Sequence, residues 1–160
     1  MKGICVIGGD VTGVICFDQP TPNTPVRISG YINNLPSGNH GFHIHEFGDV
    51  TNGCTSAGEH YNPYHKQHGG PNSLERHMGD LGNVYSSGSS IKTYIDMSDN
   101  YISLYGPYSV LGRSLVIHAM EDDYGTGTNE LSKTTGNSGS RLGCGIIGIK
   151  EPKMVSLNHK

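Results

Sequence analysis

The chain has no tryptophan and only three phenylalanines, and charged residues make up only 16% of its 160 positions. No long window keeps apolar residues at the spacing of an amphipathic helix, which argues against a helical protein. Its 24 glycines and eight prolines indicate many turns between short strands instead. A chain of 160 residues suits one core and would be cramped as two. We therefore expect one all-β domain.

Basic charge and long apolar runs are also missing. The net charge is −3 with no basic stripe, which argues against nucleic acid or an acidic membrane surface as partner. The apolar run at residues 3–7 is too short for the core of a secretory signal and far too short to span a bilayer. A soluble protein with no nucleic-acid or membrane partner and a cytoplasmic location is expected.

Eight short runs, separated by turn residues, predict strands. They cover residues 3–7, 13–18, 25–31, 41–46, 91–97, 101–105, 115–119 and 145–150. Two intervals, 47–88 and 120–142, are much longer than the other connections, and long loops in a compact domain are usually functional. The domain is expected to cover residues 1–150, followed by a polar extension at 151–160.

Residues 41–80 contain six of the nine histidines. His43 and His45 stand two apart in an alternating run, so both rings should face the same side of one strand. Further candidates follow in sequence rich in glycine and asparagine: His60, His68, His77 and Asp80. Several neutral imidazoles converging on one point form a metal site, and gathering them without a ligand would be costly. The cluster therefore predicts bound metal.

The other histidines carry less information. His118 lies far downstream in an apolar run, where a lone histidine is more often a packing residue, although it could face the cluster. His40, His65 and His159 are interpreted as packing or surface residues.

Four cysteines, Cys5, Cys16, Cys54 and Cys144, allow one or two disulfides, and their spacing does not fix the pairing. Cys5 and Cys16 lie in apolar runs, where a free thiol behaves as a small hydrophobic side chain.

Several motifs together resemble one known family, the copper/zinc superoxide dismutases of the eukaryotic type. They are the run from His43 to Asp80, Val116-Ile117-His118, Gly139-Ser140-Arg141 and the CGIIGI segment at 144–149. The resemblance spans residues 4–149. It implies an eight-stranded Greek-key β-barrel or sandwich with two long functional loops. It also implies conversion of superoxide to dioxygen and hydrogen peroxide by copper redox cycling, with one copper ion and one structural zinc ion per subunit.

The resemblance also implies roles for individual residues. Copper would be held by His43, His45, His60 and His118. Zinc would be held by His60, His68, His77 and Asp80. His60 would thus bridge the ions and act as a catalytic residue, together with Arg141, which would guide the anionic substrate.

Other implied residues support this centre. Asp122 would accept hydrogen bonds from His43 and His68, and the channel would include Thr135, Glu130 and Lys133. Cys54 would pair with Cys144. A homodimer is implied through the segment Phe47-Gly48, the first strand and residues 146–149, and a copper chaperone is left open as a further partner.

The chain departs from the family pattern at three positions near the channel. Leu131 stands where relatives usually carry a second glutamate, and Lys133 stands one position earlier than their lysine. Glu59 replaces a common proline immediately before His60. We expect catalysis to be retained, with a salt dependence of the rate that differs from that of relatives.

Two alternatives remain open at this point. A metal-binding or copper-delivery module of the same fold would lack turnover, but such modules typically miss part of the copper set or the guiding arginine, and both are present here. A sandwich that uses zinc only for stability would need no copper position.

Overall fold

The computed structural model describes residues 1–152, so His159 and most of the expected 151–160 extension lie outside the described residues. The strands are β1 (Lys2–Gly9), β2 (Thr12–Asp18), β3 (Val26–Asn33), β4 (Gly38–His45), β5 (Thr51–Cys54), β6 (Asp80–Ser86), β7 (Thr93–Asp99), β8 (Ser114–His118) and β9 (Arg141–Ile149). A 3-10 turn at Thr55–Ala57 and a short helix, α1 (Glu130–Thr134), complete the elements of the described part. Neither helical segment has the length and apolar composition needed to cross a membrane.

Eight strands form one antiparallel sheet in the order β6-β4-β8-β9-β1-β2-β3-β7. The pairings of β4 with β8 and of β1 with β9 join strands that are distant in sequence, as in Greek-key connections. The outer strands β6 and β7 approach each other, so the barrel is nearly closed. The expectation of an eight-stranded, all-β barrel is confirmed, and β5 lies outside this sheet.

Alternation along the strands places one set of side chains in the barrel. In β1, Cys5 and Ile7 are buried whereas Val6 between them is 67% exposed. Strand β4 differs, because every residue from His40 to His45 is buried. Phe42 and Ile44 belong to the apolar core, and the loop after β4 covers the opposite face. This second buried face carries His43 and His45.

One predicted strand is wrong, and two real strands were not predicted. Residues 101–105 form no strand, because the side chain of Gln19 accepts a hydrogen bond from the backbone N–H of Leu104 at 2.7 Å. Strand β6 lies inside the interval expected to be loop, as does β5. The second long interval contains α1, whose first turn is capped by Asn129 Oδ1 accepting from Ser132 N at 2.9 Å.

The predicted disulfide between Cys54 and Cys144 is present and joins β5 to β9. Cys5 and Cys16 are free thiols. Burial raises the pKa of the Cys5 thiol to about 12, so Cys5 remains protonated and packs as an apolar side chain.

Removing this disulfide should destabilise the fold. It links residues 90 positions apart, so its loss should lower the free energy of unfolding by about 4 kcal/mol. We expect this loss in the double variant Cys54→Ser, Cys144→Ser, measured by denaturant unfolding. Cys16→Ser is the control, since it leaves the bond intact. Equal unfolding midpoints for the double variant and the control would contradict the prediction.

Candidate metal centre

Four histidines meet on the outer face of the barrel. His43 and His45 come from β4 and His118 ends the neighbouring strand β8. The chain around His60 runs antiparallel to the end of β4, where His60 and His45 form a β-bridge. Each of the four residues offers one ring nitrogen, and these nitrogens lie within 4.8 Å of one another.

Hydrogen bonds at the far sides of the rings orient three of them. His45 Nδ1 lies 2.8 Å from the carbonyl oxygen of Gly58, and His118 Nδ1 lies 3.3 Å from that of Gly139. His43 Nε2 lies 2.7 Å from a carboxylate oxygen of Asp122. Because these oxygens only accept, each of these nitrogens carries the proton, and the other ring nitrogen keeps a free lone pair.

Two of the four inward nitrogens have no hydrogen-bond partner among residues 1–152, and the other two face each other. His43 Nδ1 and His60 Nε2 are buried without a hydrogen bond, and His45 Nε2 faces His118 Nε2 at 3.3 Å. Buried nitrogens left in this state are costly, whereas convergent lone pairs are what a cation needs. The four residues therefore fit an all-nitrogen metal site of the kind that suits copper.

A second group surrounds one oxygen of Asp80. Asp80 Oδ1 lies 2.9 Å from Nδ1 of His60, 3.0 Å from Nδ1 of His68 and 3.2 Å from Nδ1 of His77. Asp80 Oδ2 accepts from the backbone N–H groups of Gly69 and His77, which fixes the carboxylate. Three imidazoles and one carboxylate are a typical donor set for zinc. His60 belongs to both groups and uses a different nitrogen in each.

Asp122 connects the two groups. It is 1% exposed, and its two oxygens each lie 2.7 Å from an Nε2 atom, one in His43 and the other in His68. Asn83 holds its backbone, accepting from Asp122 N at 2.7 Å and donating to Asp122 O at 2.9 Å. A Cβ at Gly136 would lie 2.0 Å from Asp122 Oδ1, so no larger residue fits there.

Burial keeps most of the cluster neutral. It lowers the pKa of His43, His45 and His60 well below the usual value and that of His118 to about 4. These rings can accept a cation without first losing a proton.

The zinc-type group differs in its electrostatics. Burial opposes the charge of His68, but its hydrogen bonds to Asp122 and Asp80 raise its pKa to about 9. Burial also opposes the charge of Asp80, whose pKa is nevertheless lowered by the hydrogen bonds from His60, His68 and His77. In the metal-free protein His68 is therefore protonated at neutral pH, and a cation bound there would displace that proton.

A cavity of about 610 Å³ opens onto this centre and is called the entrance cavity below. It is lined by His45, Glu59, His60, His118, Met120, Leu131, Thr135, Asn137, Gly139 and Arg141. Arg141 is held at its wall, because its Nη1 donates to the carbonyl oxygen of Cys54 at 2.7 Å.

Two residues expected in the channel lie elsewhere. Glu130 begins α1 and is exposed, outside the lining of the entrance cavity. Lys133 donates to the carbonyl oxygen of Gly125 and lines a neighbouring cavity of about 640 Å³, which shares Glu59 and His60 with the entrance cavity. Thr135 and Arg141 do line the entrance cavity, as expected.

Two other histidines are placed outside both groups. His40 is buried between the carbonyl oxygens of His118 and Pro36, at 2.9 and 2.8 Å, which is a packing role. His65 is exposed.

Comparison with known proteins decides the family. The family model described as copper/zinc superoxide dismutase matches residues 11–147. The chain belongs to the copper/zinc superoxide dismutase family.

Close relatives agree with this assignment. The chain is 62% identical over 149 residues to a protein of Orgyia pseudotsugata multicapsid polyhedrosis virus, covering 93% of this chain and 98% of that protein. It is 59% identical to one of Autographa californica nuclear polyhedrosis virus, covering 93% and 99%. Both carry the provisional name copper/zinc superoxide dismutase. Superoxide dismutase 5 of Dictyostelium discoideum is 55% identical, covering 94% and 99%.

The family establishes what the centre is for. The chain is an oxidoreductase that dismutates superoxide and uses copper and zinc as cofactors. Its two histidine groups match these ions in number and in donor type.

We predict that Asp122→Asn weakens metal retention. An amide can accept from one ring but presents an N–H group to the other, so either His43 or His68 loses its orienting partner. Loss of such a partner typically lowers metal affinity 10- to 100-fold. Zinc retained against a chelator measures the effect, with Asp96→Asn, an exposed site paired to Arg27, as the control. Equal retention in both variants would contradict the prediction.

Proposed function

We propose that this chain dismutates superoxide at a centre in which His60 is shared by two ions. In this proposal copper is held by His43, His45, His60 and His118, and zinc by His60, His68, His77 and Asp80. The observation that carries it is that His60 offers Nε2 to one group and Nδ1 to the other. No other residue of the described part belongs to both of these groups.

Copper, when bound, supplies one-electron oxidation and reduction, and zinc supplies a fixed positive charge. The residues around the site supply position and protons. His60 Nδ1 lies 2.9 Å from Asp80 Oδ1, so this side of the ring would be held in the zinc-type group while Nε2 faces away from it. His60 Nε2 faces the copper group without a hydrogen bond, and it can take up one proton and give it back there. This makes His60 the proton store of the reaction.

Arg141 is proposed to attract the substrate anion. Its guanidinium is permanently charged and offers several donors in one plane, which suits a small oxyanion. It lines the entrance cavity beside His118 and is fixed to the backbone of Cys54. The hydrogen bond to the Cys54 carbonyl oxygen uses one N–H group of the guanidinium, and the other N–H groups remain available to an anion in the entrance cavity.

Activity of the reconstituted protein tests the assignment. Protein loaded with copper and zinc should dismutate superoxide, measured by pulse radiolysis, and removal of copper should abolish the activity. Arg141→Ala should lower the second-order rate constant about tenfold at low salt, because a unit charge close to an anion is worth on the order of 1 kcal/mol or more.

Arg27→Ala is the matched control for Arg141→Ala. It removes the same net charge from an exposed pair with Asp96 on the other side of the barrel. Equal rates for the two variants would reject the role of Arg141, and a loaded protein without activity would reject the function.

A homodimer is proposed on the apolar face of β1 and β9. Val6, Ile146 and Ile149 are exposed there, with Phe47 and Val50 on the adjoining loop. Val6, Val50 and Ile146 line a groove of about 1170 Å³. Contiguous exposed apolar surface of this kind is typical of protein interfaces. A copper chaperone partner, the cytoplasmic location and the 1–150 domain boundary stay predictions from the sequence.

Val6→Lys should convert the dimer to a monomer, because it would bury an unpaired ammonium in the interface. Light scattering at several protein concentrations measures the mass. Tyr94→Lys is the control, since Tyr94 is 77% exposed on the distant strand β7. A wild-type mass of one chain, or a dimer retained in Val6→Lys, would contradict this interface.

A further inference from the structure

The entrance cavity contains one acidic side chain. Among the described residues that line it, Glu59 is the only carboxylate side chain and Arg141 the only lysine or arginine. The rest of the lining is polar or apolar, and its two large apolar side chains, Met120 and Leu131, are well exposed. Besides the proposed copper ion, a superoxide anion entering here meets one attractive and one repulsive side-chain charge.

The main chain fixes the position of Glu59. Its carbonyl oxygen accepts from the N–H of Glu46 at 2.9 Å, and its own N–H donates to Glu46 Oε1 at 3.3 Å. The carboxylate of Glu59 makes no hydrogen bond or ion pair with any residue of the described part. Its charge is therefore held at the cavity without being neutralised by a partner.

The charge of Glu59 reaches Arg141. Burial lowers the pKa of the Arg141 guanidinium, and the negative charge of Glu59 acts in the opposite direction. An acid that stabilises the cationic form of Arg141 also offsets the positive potential that Arg141 creates in the space between them.

We propose that Glu59 restricts the access of monoanions to the copper position. The proposal rests on the proposed assignment of His43, His45, His60 and His118 as the copper site. In this arrangement Arg141 draws superoxide in, while Glu59 weakens the binding of every monoanion, including those that would inhibit the enzyme. Glu59 touches no reacting atom, and its effect is purely Coulombic.

A charge series tests this directly. The copper- and zinc-loaded wild type, Glu59→Gln and Glu59→Lys are titrated with azide, a monoanion, and binding is followed by the change in copper absorption. Two unit charges several ångströms apart in water interact by somewhat less than 1 kcal/mol, so removing the charge should tighten azide binding about two- to threefold. Glu59→Lys reverses the charge, so it should tighten azide binding by about the square of that factor, roughly four- to ninefold. The rate constant for superoxide should rise in the same order.

Salt separates a charge effect from a structural one. At an ionic strength of about 1 M, where the screening length is about 3 Å, the three proteins should converge. Asp18→Asn is the control, because it makes the same change in net charge on an exposed residue of β2 paired to Lys2, away from the cavity. Asp18→Asn should bind azide as tightly as the wild type does.

The possible failures are distinguishable. If the wild type binds azide at copper and both Glu59 variants bind it equally or more weakly, the role of Glu59 is overturned and the site assignment stands. Differences that persist at high salt, or an equal gain in Asp18→Asn, also overturn it. If azide leaves the copper absorption of every protein unchanged, the proposed copper site fails and the role of Glu59 fails with it.

Discussion

The buried carboxylate of Asp122 is the interaction on which the centre depends. One of its oxygens holds His43, which belongs to the barrel, and the other holds His68, which belongs to the long loop. The loop is thereby positioned on β4 through the same contacts that orient the ligands. Rotation or loss of this carboxylate would release one ring from each group, so the geometry of both groups is determined together.

The metal centre also explains why β4 can be buried on both faces. The inner face has apolar side chains, but the outer face has imidazoles whose inward nitrogens find no partner in the protein. The cost of burying them is recovered only when a cation binds, so metal affinity contributes directly to the stability of the loop over β4. The disulfide from Cys54 to Cys144 ties the same loop to β9 independently of metal. Because Arg141 donates to the carbonyl oxygen of Cys54, this covalent link also positions the residue that attracts the substrate.

Features that depend on a short repeat along one strand, or on a long sequence motif, could be predicted from the sequence. The two-residue spacing of His43 and His45 was enough to place both on one face, and the motifs were enough to identify the barrel and the disulfide. Prediction from the sequence failed where contacts between residues distant in the chain determine the local structure. The apolar run at 101–105 has strand composition, but the side chain of Gln19 replaces a neighbouring strand as its partner. Strand β6 was missed because its alternation is interrupted by Gly82 and Asn83.

Asn83 shows why parts of the centre escaped prediction altogether. Its role is to hold the backbone of Asp122, which lies 39 positions away, and no local pattern marks such a pair. Glu130 and Lys133 were expected in the channel from their positions in the sequence, and α1 places them outside the lining of the entrance cavity, so their role there stays a prediction.

The placement of charge around the entrance cavity follows from these differences. With Glu130 and Lys133 outside the lining, the local potential is determined by the few charges that remain, and each has more influence than it would within a larger set. Within the cavity, the guanidinium of Arg141 and the carboxylate of Glu59 therefore modulate anion access in opposite directions, in addition to the charge of the bound ions.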